Sequence, residues 1–172
     1  NYSLLTDNTA LEVQTSGEIN KPLQPAFNVY LASDSSTSFI PDGSWATVQF
    51  TGEVFDVGSN FSSYTFTAPV TGKYLLTTWV RINDLSSTAN YYWLRISTSN
   101  RNYYGTLFDA NDLDNGGSIE FHTFNLTVIA DMDANDTATV DLSRSGGSAT
   151  AVVQGNGAAA TIYTMFHGQL IS

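Results

Sequence analysis

The chain has 172 residues and a formal net charge of −10, from sixteen acidic and six basic residues. A nucleic-acid interface needs basic side chains that displace the counterions of the phosphates, so this balance excludes nucleic acid as a partner. The same balance disfavours docking on an anionic lipid surface. No apolar run approaches the roughly 20 residues that a membrane-spanning helix needs, so we expect no membrane insertion.

The sequence contains no cysteine, so disulfides, thiol chemistry and thiolate metal sites are not available to it. Aromatic residues make up 13% of the chain, and charged residues only another 13%. Aromatic and β-branched residues favour strands, and Ser, Thr and Asn favour strands and turns over helices. The chain begins at Asn1 without a signal-peptide pattern, and we expect it to be a fragment or a processed product of a longer protein.

The first 21 residues differ from the rest of the chain. Residues 11–14 alternate between apolar and polar, Ser16 and Gly17 predict a turn, and Pro22 and Pro25 interrupt any ladder that follows. This segment holds too little apolar surface to fold alone. We therefore predict a neck or shaft segment over residues 1–21 and a single domain over residues 22–172.

Strand signals then recur to the end of the chain, separated by turn clusters such as Pro69-Val70-Thr71-Gly72. In the clearest strand, alternation places Tyr74, Leu76 and Val80 on one face and Leu75 and Trp79 on the other. No amphipathic helix and no fixed repeat are found, which favours a sandwich, jelly roll or barrel. The predicted strands cover residues 26–32, 46–50, 63–68, 72–82, 91–98, 118–130, 137–142 and 159–171.

A spaced aromatic pattern leads into a Gly-x-Tyr strand and is completed by a terminal Phe-x-Gly strand. Its members are Phe50, Asp56, Phe61, Phe66, Gly72, Tyr74, Phe166 and Gly168. The pattern, over residues 22–172, resembles the globular domain of complement C1q and its tumour-necrosis-factor-like relatives. Two features depart from that family: Leu76 and Thr78 stand where it usually has aromatic rings, and the interval from Phe61 to Phe66 is two residues shorter.

The resemblance implies an all-β, ten-stranded antiparallel jelly-roll sandwich that forms a homotrimer. Residues 9–22 are similar to the lead-in of related domains in phage virion and tail-fibre proteins, particularly marine ones, and lack the collagen-like repeats of animal relatives. The resulting prediction is a non-enzymatic structural and binding module on a virion or extracellular surface. It would be the trimeric knob or tip of a phage-type fibre or virion appendage, in contact with other virion proteins and with a host-surface glycan or protein receptor.

The alternatives are a carbohydrate-active, polysaccharide-degrading enzyme domain and a purely structural virion decoration or bacterial surface domain. Catalytic residues are not evident, because His122 and His167 are interpreted as polar-face strand residues beside core aromatics. A glycosidase would need two carboxylates facing one cleft, and most aspartates here lie in turns. We predict no catalytic residues, no enzymatic activity and no cofactor, apart from a calcium ion left open below.

One acidic loop is a candidate for calcium. Asp109, Asp112 and Asp114 lie within six residues, and some members of the resembling family bind calcium through Asp-bearing loops. Calcium requires several converging oxygen ligands, and Asp is also an expected occupant of ordinary turns. The turn interpretation is the alternative for this loop.

A second candidate site combines aromatic rings with polar groups. Tyr92 and Trp93, with Arg101, Tyr103 and Tyr104, can stack on sugars or anchor a protein partner. Because Tyr92 alternates with Trp93, at least one of these rings is expected in the core. Packing within the domain or at the trimer interface is the alternative for all five residues.

Overall fold

The computed structural model describes residues 2–3, 11–112, 119–157 and 160–172. Across these ranges no helix is present, and so none could span a membrane. The strands are β1 (Tyr2–Ser3), β2 (Glu12–Val13), β3 (Ile19–Asn20), β4 (Ala26–Tyr30), β5 (Ala46–Thr47), β6 (Gly52–Val57), β7 (Phe61–Ser62), β8 (Thr65–Thr67), β9 (Gly72–Leu85), β10 (Ala89–Thr98), β11 (Asn102–Phe108), β12 (Ile119–Met132), β13 (Thr137–Gly146), β14 (Val152–Val153) and β15 (Met165–Leu170).

Two large antiparallel sheets face each other and form the sandwich. The β9 sheet has the order β12-β9-β15-β4-β6, and β14 also pairs with β9. The β10 sheet has the order β11-β10-β13-β8-β7, and β5 also pairs with β13. The predicted all-β antiparallel jelly roll is confirmed. The described residues form two six-stranded sheets, which is two strands more than the ten predicted. The count is higher because short segments such as β5 and β14 are separate strands.

Strand β9 is the centre of its sheet, and its two faces differ. Tyr74, Leu76, Thr78, Val80 and Ile82 have no exposed surface, as the alternation predicts. The Thr78 hydroxyl, in a position where the resembling family has an aromatic ring, donates to the Met165 carbonyl at 2.7 Å. That bond satisfies a polar group that would otherwise be costly to bury.

The core between the sheets is built around stacked phenylalanine rings. Phe27 stacks on Phe66 with ring centroids 4.5 Å apart and meets Phe166 edge-on at 5.0 Å. Phe61 and Phe50 extend the group, with Phe61 5.4 Å from Phe27 and 6.4 Å from Phe50. These aromatic residues, far apart in the sequence, pack into one cluster between the sheets.

Asp56 and Gly72, two further residues of the aromatic pattern, are required by the path of the backbone. The Asp56 carboxylate accepts hydrogen bonds from the amides of Asn60 and Phe61, at 3.0 and 2.8 Å, and closes the turn that holds two left-handed residues, Gly58 and Ser59. At Gly72 a Cβ would lie 2.5 Å from the carbonyl oxygen of Ser172. Each position therefore has a conformational or steric requirement.

Four strands of the sandwich, β6, β7, β11 and β14, lie outside the ranges predicted from the sequence. Strand β6 lacks clean alternation, and residues 100–104, which include the start of β11, are interpreted in the sequence as a recognition segment because they combine rings with polar groups. Strands β6 and β11 are edge strands, each hydrogen-bonded to a neighbour on one side only. Edge positions tolerate such sequences because packing on one side alone constrains them.

The segment before the sandwich forms a separate small sheet. Strand β2 pairs with β1 and with β3, and Gly17 turns with a φ of 101° between β2 and β3. Among the described residues, the small sheet pairs with neither large sheet. The chain is then attached to β15 by two hydrogen bonds. The Gln24 side-chain amide donates to the Leu170 carbonyl, and the Leu170 amide donates to the Pro25 carbonyl.

We predict that Phe66→Ala lowers the free energy of unfolding by about 3–5 kcal/mol, because the ring is 1% exposed and its loss leaves a cavity in the phenylalanine cluster. Urea denaturation followed by circular dichroism measures this. Val70→Ala is the control, since Val70 is 44% exposed. If the urea midpoint of Phe66→Ala equalled that of the control, the assignment of this ring to the core would be contradicted.

We also predict that Gly168→Ala destabilises the domain by about 1–3 kcal/mol through overpacking. Its Cβ would lie 2.6 Å from Leu76 Cδ2 and 2.6 Å from Phe27 Cε1. Gly157→Ala is the matched control, because its nearest contact would be the Ala32 oxygen at 3.7 Å. Equal melting temperatures for the two variants would contradict this assignment.

Candidate functional site

The β10 sheet carries an aromatic cluster on its outer face. The cluster consists of Trp45, Tyr91, Trp93, Arg95 and Tyr104. Trp93 stacks on Tyr104 with centroids 4.5 Å apart and planes 29° apart, and Tyr91 meets Trp93 edge-on at 6.1 Å. Trp45 lies 5.7 Å from Trp93 and 5.9 Å from Tyr104. Tyr104 is the most exposed ring, with 50% of its surface open.

A β-bulge places Tyr104 in this cluster. Trp93 pairs with Leu107 and Arg95 pairs with Tyr104, so β11 has one residue more than β10 across this interval. The extra residue brings Tyr104 and Leu107, three positions apart, to the same outer face. Gly105 lies inside the bulge, where a Cβ would be 3.0 Å from Leu126 Cβ. A larger residue there would press against β12.

An ion pair lies beneath the rings. Arg95 Nε donates to Asp141 Oδ2 at 2.9 Å, and the two residues are direct cross-strand neighbours. The side chains are 16% and 6% exposed, and the Thr47 hydroxyl also donates to Asp141, at 2.8 Å. The guanidinium lies 4.1 Å from the centre of the Trp45 ring. These contacts join the cluster to three strands, through Thr47 on β5, Arg95 on β10 and Asp141 on β13.

Not every residue predicted to bind lies in this cluster. Trp93 and Tyr104 do, whereas Tyr92 has no exposed surface and its hydroxyl accepts the Ser86 amide at 2.9 Å. Tyr92 is therefore a core ring, which is the alternative that its alternation with Trp93 left open, and the ligand contact stays a prediction for the other residues. Tyr103 is half-buried against the core, and Arg101 is exposed at the turn between β10 and β11.

Trp45, Tyr91 and Arg95 belong to the cluster but are not among the residues predicted to bind. Tyr91, Trp93 and Arg95 are two residues apart, and this spacing on one strand is a signal that could have grouped them. Trp45 reaches the cluster through the pairing of β5 with β13, a contact between residues nearly a hundred positions apart that no local pattern contains.

The β9 sheet carries a second surface, the outer apolar face, defined by Phe55, Leu75, Trp79, Phe121 and Ile129. Phe121 and Ile129 lie on β12 and are 54% and 58% exposed, and Phe55 on β6 is 45% exposed. Arg81 lies on the same face, with its guanidinium 4.6 Å from the Phe121 ring. A groove of about 110 Å³ runs beside Phe55 and Leu75.

The two histidines lie on opposite sides of this sheet. His122 points inward, with its ring 4.0 Å from the Phe108 ring and 5.1 Å from the Phe124 ring. The interpretation of His122 as a polar-face residue is therefore wrong, since its neighbour Phe121 takes the outer position. His167 lies on the outer side, opposite Thr77 and Asn28. Burial lowers the pKa of both imidazoles.

The calcium candidates are only partly described. Asp109 and Asp112 are exposed, and Asp109 Oδ1 accepts the Asn111 amide at 3.1 Å, as in an ordinary Asx turn. Asp114 lies outside the described residues. Within the described ranges no three His, Cys, Asp or Glu side chains come together as a metal site would require. Calcium binding by the loop that contains Asp109, Asp112 and Asp114 stays a prediction.

A cavity of about 320 Å³ opens near the end of the sandwich beside Leu31 and Val153. Its lining contains one carboxylate, Asp34, which accepts the Gly155 amide at 2.8 Å, and the other polar groups are serine, threonine and glutamine. The paired carboxylates that glycoside hydrolysis uses are not found in this lining.

The sequence matches no family model and no curated protein. Solved structures do match. The zebrafish complement C1qA globular domain is 16% identical over 87% of this chain and 98% of that one, with a TM-score of 0.57. Murine APRIL is 13% identical over 86% and 99%, with a TM-score of 0.53. The vertex protein P5 of the phage PRD1 is 16% identical over 87% and 99%, with a TM-score of 0.51. The chain thus has the C1q/TNF-like fold.

We predict that stability falls as the pH is lowered from 7.5 to 5. Because the pKa of His122 and that of His167 are lowered in the folded state, the unfolded chain takes up protons first as the pH falls through about 6.5. Melting temperatures across this range, for the chain and for His122→Phe with His167→Gln, measure the effect. An equally steep fall in the double variant would assign the pH dependence to other groups.

Proposed function

We propose that the chain is a non-enzymatic structural and binding module that assembles as a homotrimer through its outer apolar face. The observation that carries this proposal is a pair of exposed apolar residues at the two ends of β12, between which Thr123, Asn125 and Thr127 face outward. Phe121 and Ile129 face solvent in the single chain, while the polar ring of His122 is turned inward. A sheet face exposed to water normally has polar residues at such positions. Exposed apolar patches of this kind mark surfaces that a partner covers.

The composition of the face fits a partner that is another copy of the chain. Aromatic residues and arginine are enriched at stable interfaces, and here Trp79 and Phe121 lie on the same sheet face as Arg81. Arg81 is held between two rings, Phe121 at 4.6 Å and Tyr163 at 4.5 Å. Within the described part of the chain, no carboxylate forms an ion pair with it. A guanidinium fixed in this way is available to an acidic group of a neighbouring subunit.

Three subunits around one axis bury such a face on every chain without leaving an open surface. The resemblance of the sequence pattern to the C1q and tumour-necrosis-factor-like family, and the shared fold, support this symmetry. The small sheet before residue 22 fits the role of a neck that brings three chains together ahead of the sandwich. The whole domain division, residues 1–21 and 22–172, belongs to this proposal.

The site of action is a virion or another extracellular surface. The likeness to the PRD1 vertex protein P5 supports the virion, as does the similarity of residues 9–22 to the lead-in of related phage proteins. In this role the module is a knob or tip of an appendage that contacts other virion proteins and a host-surface receptor or glycan. The neutral, aromatic outer side of the β10 sheet remains open for that contact when the β9 sheet faces the axis.

We predict that the purified chain has three times the 18.6 kDa mass of one chain by light scattering at micromolar concentration. Ile129→Asp removes the trimer, because a charge that is hydrated on a monomer would be buried without a partner in the assembly. Leu107→Asp is the matched control: Leu107 is 54% exposed against 58% for Ile129, but it lies on the β10 sheet.

Circular dichroism separates dissociation of the Ile129→Asp variant from unfolding. A monomeric mass for the unmodified chain would refute the trimer. A trimer that survives Ile129→Asp but not Leu107→Asp would place the interface on the β10 sheet instead.

A further inference from the structure

The aromatic cluster on the β10 sheet has a property that distinguishes it from the rest of this acidic chain: it is electrically neutral. Of the residues in the six strands of that sheet, only Arg95, Asp141 and Arg144 are charged. Arg95 and Asp141 neutralise each other at 2.9 Å. Arg144 is 8% exposed and donates to the carbonyls of Ile40 and Gly147. The strands of this face therefore offer no free charge to a ligand, and an unpaired cation in the described residues, Arg101, is exposed on the turn between β10 and β11.

The cluster also keeps an open ring. Trp93 stacks on one side of Tyr104, and Arg95 lies over Trp45, so these faces are occupied. Half of the Tyr104 surface stays open, and Leu107 on the same outer face of β11 is 54% exposed. The ring cannot swing freely, because Trp45 and Trp93 pack against it and the bulge fixes its strand position. A rigid, half-open ring loses little conformational entropy when a ligand packs on it.

Uncharged hydrogen-bonding groups surround the rings. Ser97 follows Arg95 on the same face of β10 and donates to Asn102 Oδ1 at 2.8 Å. At the other end, Ser145 lies opposite Tyr91 and bonds with Asn90 at 3.3 Å. Hydroxyl and amide groups both donate and accept, so they match a ligand that carries many hydroxyls.

We propose that the aromatic cluster binds a neutral glycan, with the C–H face of a pyranose ring packed on Tyr104 and its hydroxyls directed to the neighbouring Asn and Ser side chains. The apolar face of the sugar replaces water on the ring, and the hydroxyls keep hydrogen-bond partners at the border. Glycans with sialic or uronic acids are disfavoured, since the chain carries a net charge of −10 and the cluster has no free cation. This inference rests on the proposed binding function and names its ligand class.

The test begins with the intact chain on a printed glycan array. The array holds neutral oligosaccharides of glucose, galactose, mannose, N-acetylglucosamine and rhamnose, and acidic ones that carry sialic or uronic acids. We expect binding to one or more neutral glycans and none to the acidic ones. The best neutral glycan is then titrated into the protein by calorimetry, with affinity expressed per chain.

Three variants decide whether the cluster is responsible. Tyr104→Ala should weaken binding by at least about tenfold, which corresponds to about 1.4 kcal/mol. Tyr104→Phe keeps the ring and should stay within about twofold of the original affinity. Val70→Ala removes a comparably exposed apolar side chain at the turn before β9 and should change nothing. Melting temperatures confirm that all three variants are folded.

Several results would overturn the proposal: no neutral glycan bound, acidic glycans alone bound, or equal affinity for Tyr104→Ala and the unmodified chain. Light scattering on the same samples keeps this test separate from that of the trimer. A trimer without glycan binding contradicts the ligand and leaves the assembly standing. A loss of the trimer in Tyr104→Ala would assign the cluster to the subunit interface and also contradict the glycan site.

Discussion

The rest of the structure depends on the alternation of β9. This strand pairs with β12 along its whole length on one side and with β14 and β15 on the other, while its inner face from Tyr74 to Ile82 is fully buried. A slip of one residue would turn every inner side chain to the outer face, so the apolar pattern fixes the register of the whole sheet. Once that register is set, Leu75 and Trp79 must lie on the outer side. The outer apolar face is thus a consequence of how the core is built.

The two outer faces of the sandwich have different chemistry, and the proposed roles in assembly and recognition follow this difference. On the β9 sheet, apolar side chains extend as far as Phe121 and Ile129 on one edge and Phe55 on the other. On the β10 sheet, the rings are concentrated at one cluster over a closed ion pair, and the border is made of uncharged polar groups. A face that another copy covers must be broad and apolar, whereas a face that meets an external ligand needs a few rigid rings with polar groups around them.

Sequence alone predicted the fold more fully than the site. Composition and alternation predicted only an all-β sandwich, jelly roll or barrel. The spacing from Phe50 to Tyr74 and the terminal Phe166 and Gly168 resemble the C1q family pattern, and that resemblance implied the jelly roll. The contact between Trp45 and Trp93 in the cluster depends on the pairing of β5 with β13. The position of Tyr104 depends on the bulge in β11, and no local sequence pattern predicts either feature. His122 was misplaced for a related reason: its chemical type suggested a polar-face position, but its position on β12 turns it inward.

The central claim is that copies of this chain cover the outer apolar face. The absence of cysteine allows a direct measurement, since a nitroxide attached to Asn125→Cys would be the only spin label on each chain. Asn125 is exposed on that face, opposite Trp79, and Asn102 is an exposed counterpart on the other sheet. Pulsed dipolar spectroscopy should give a defined distance between subunits for labels at position 125 that is shorter than the distance for labels at position 102. No coupling between subunits, or a shorter distance at position 102, would contradict the account.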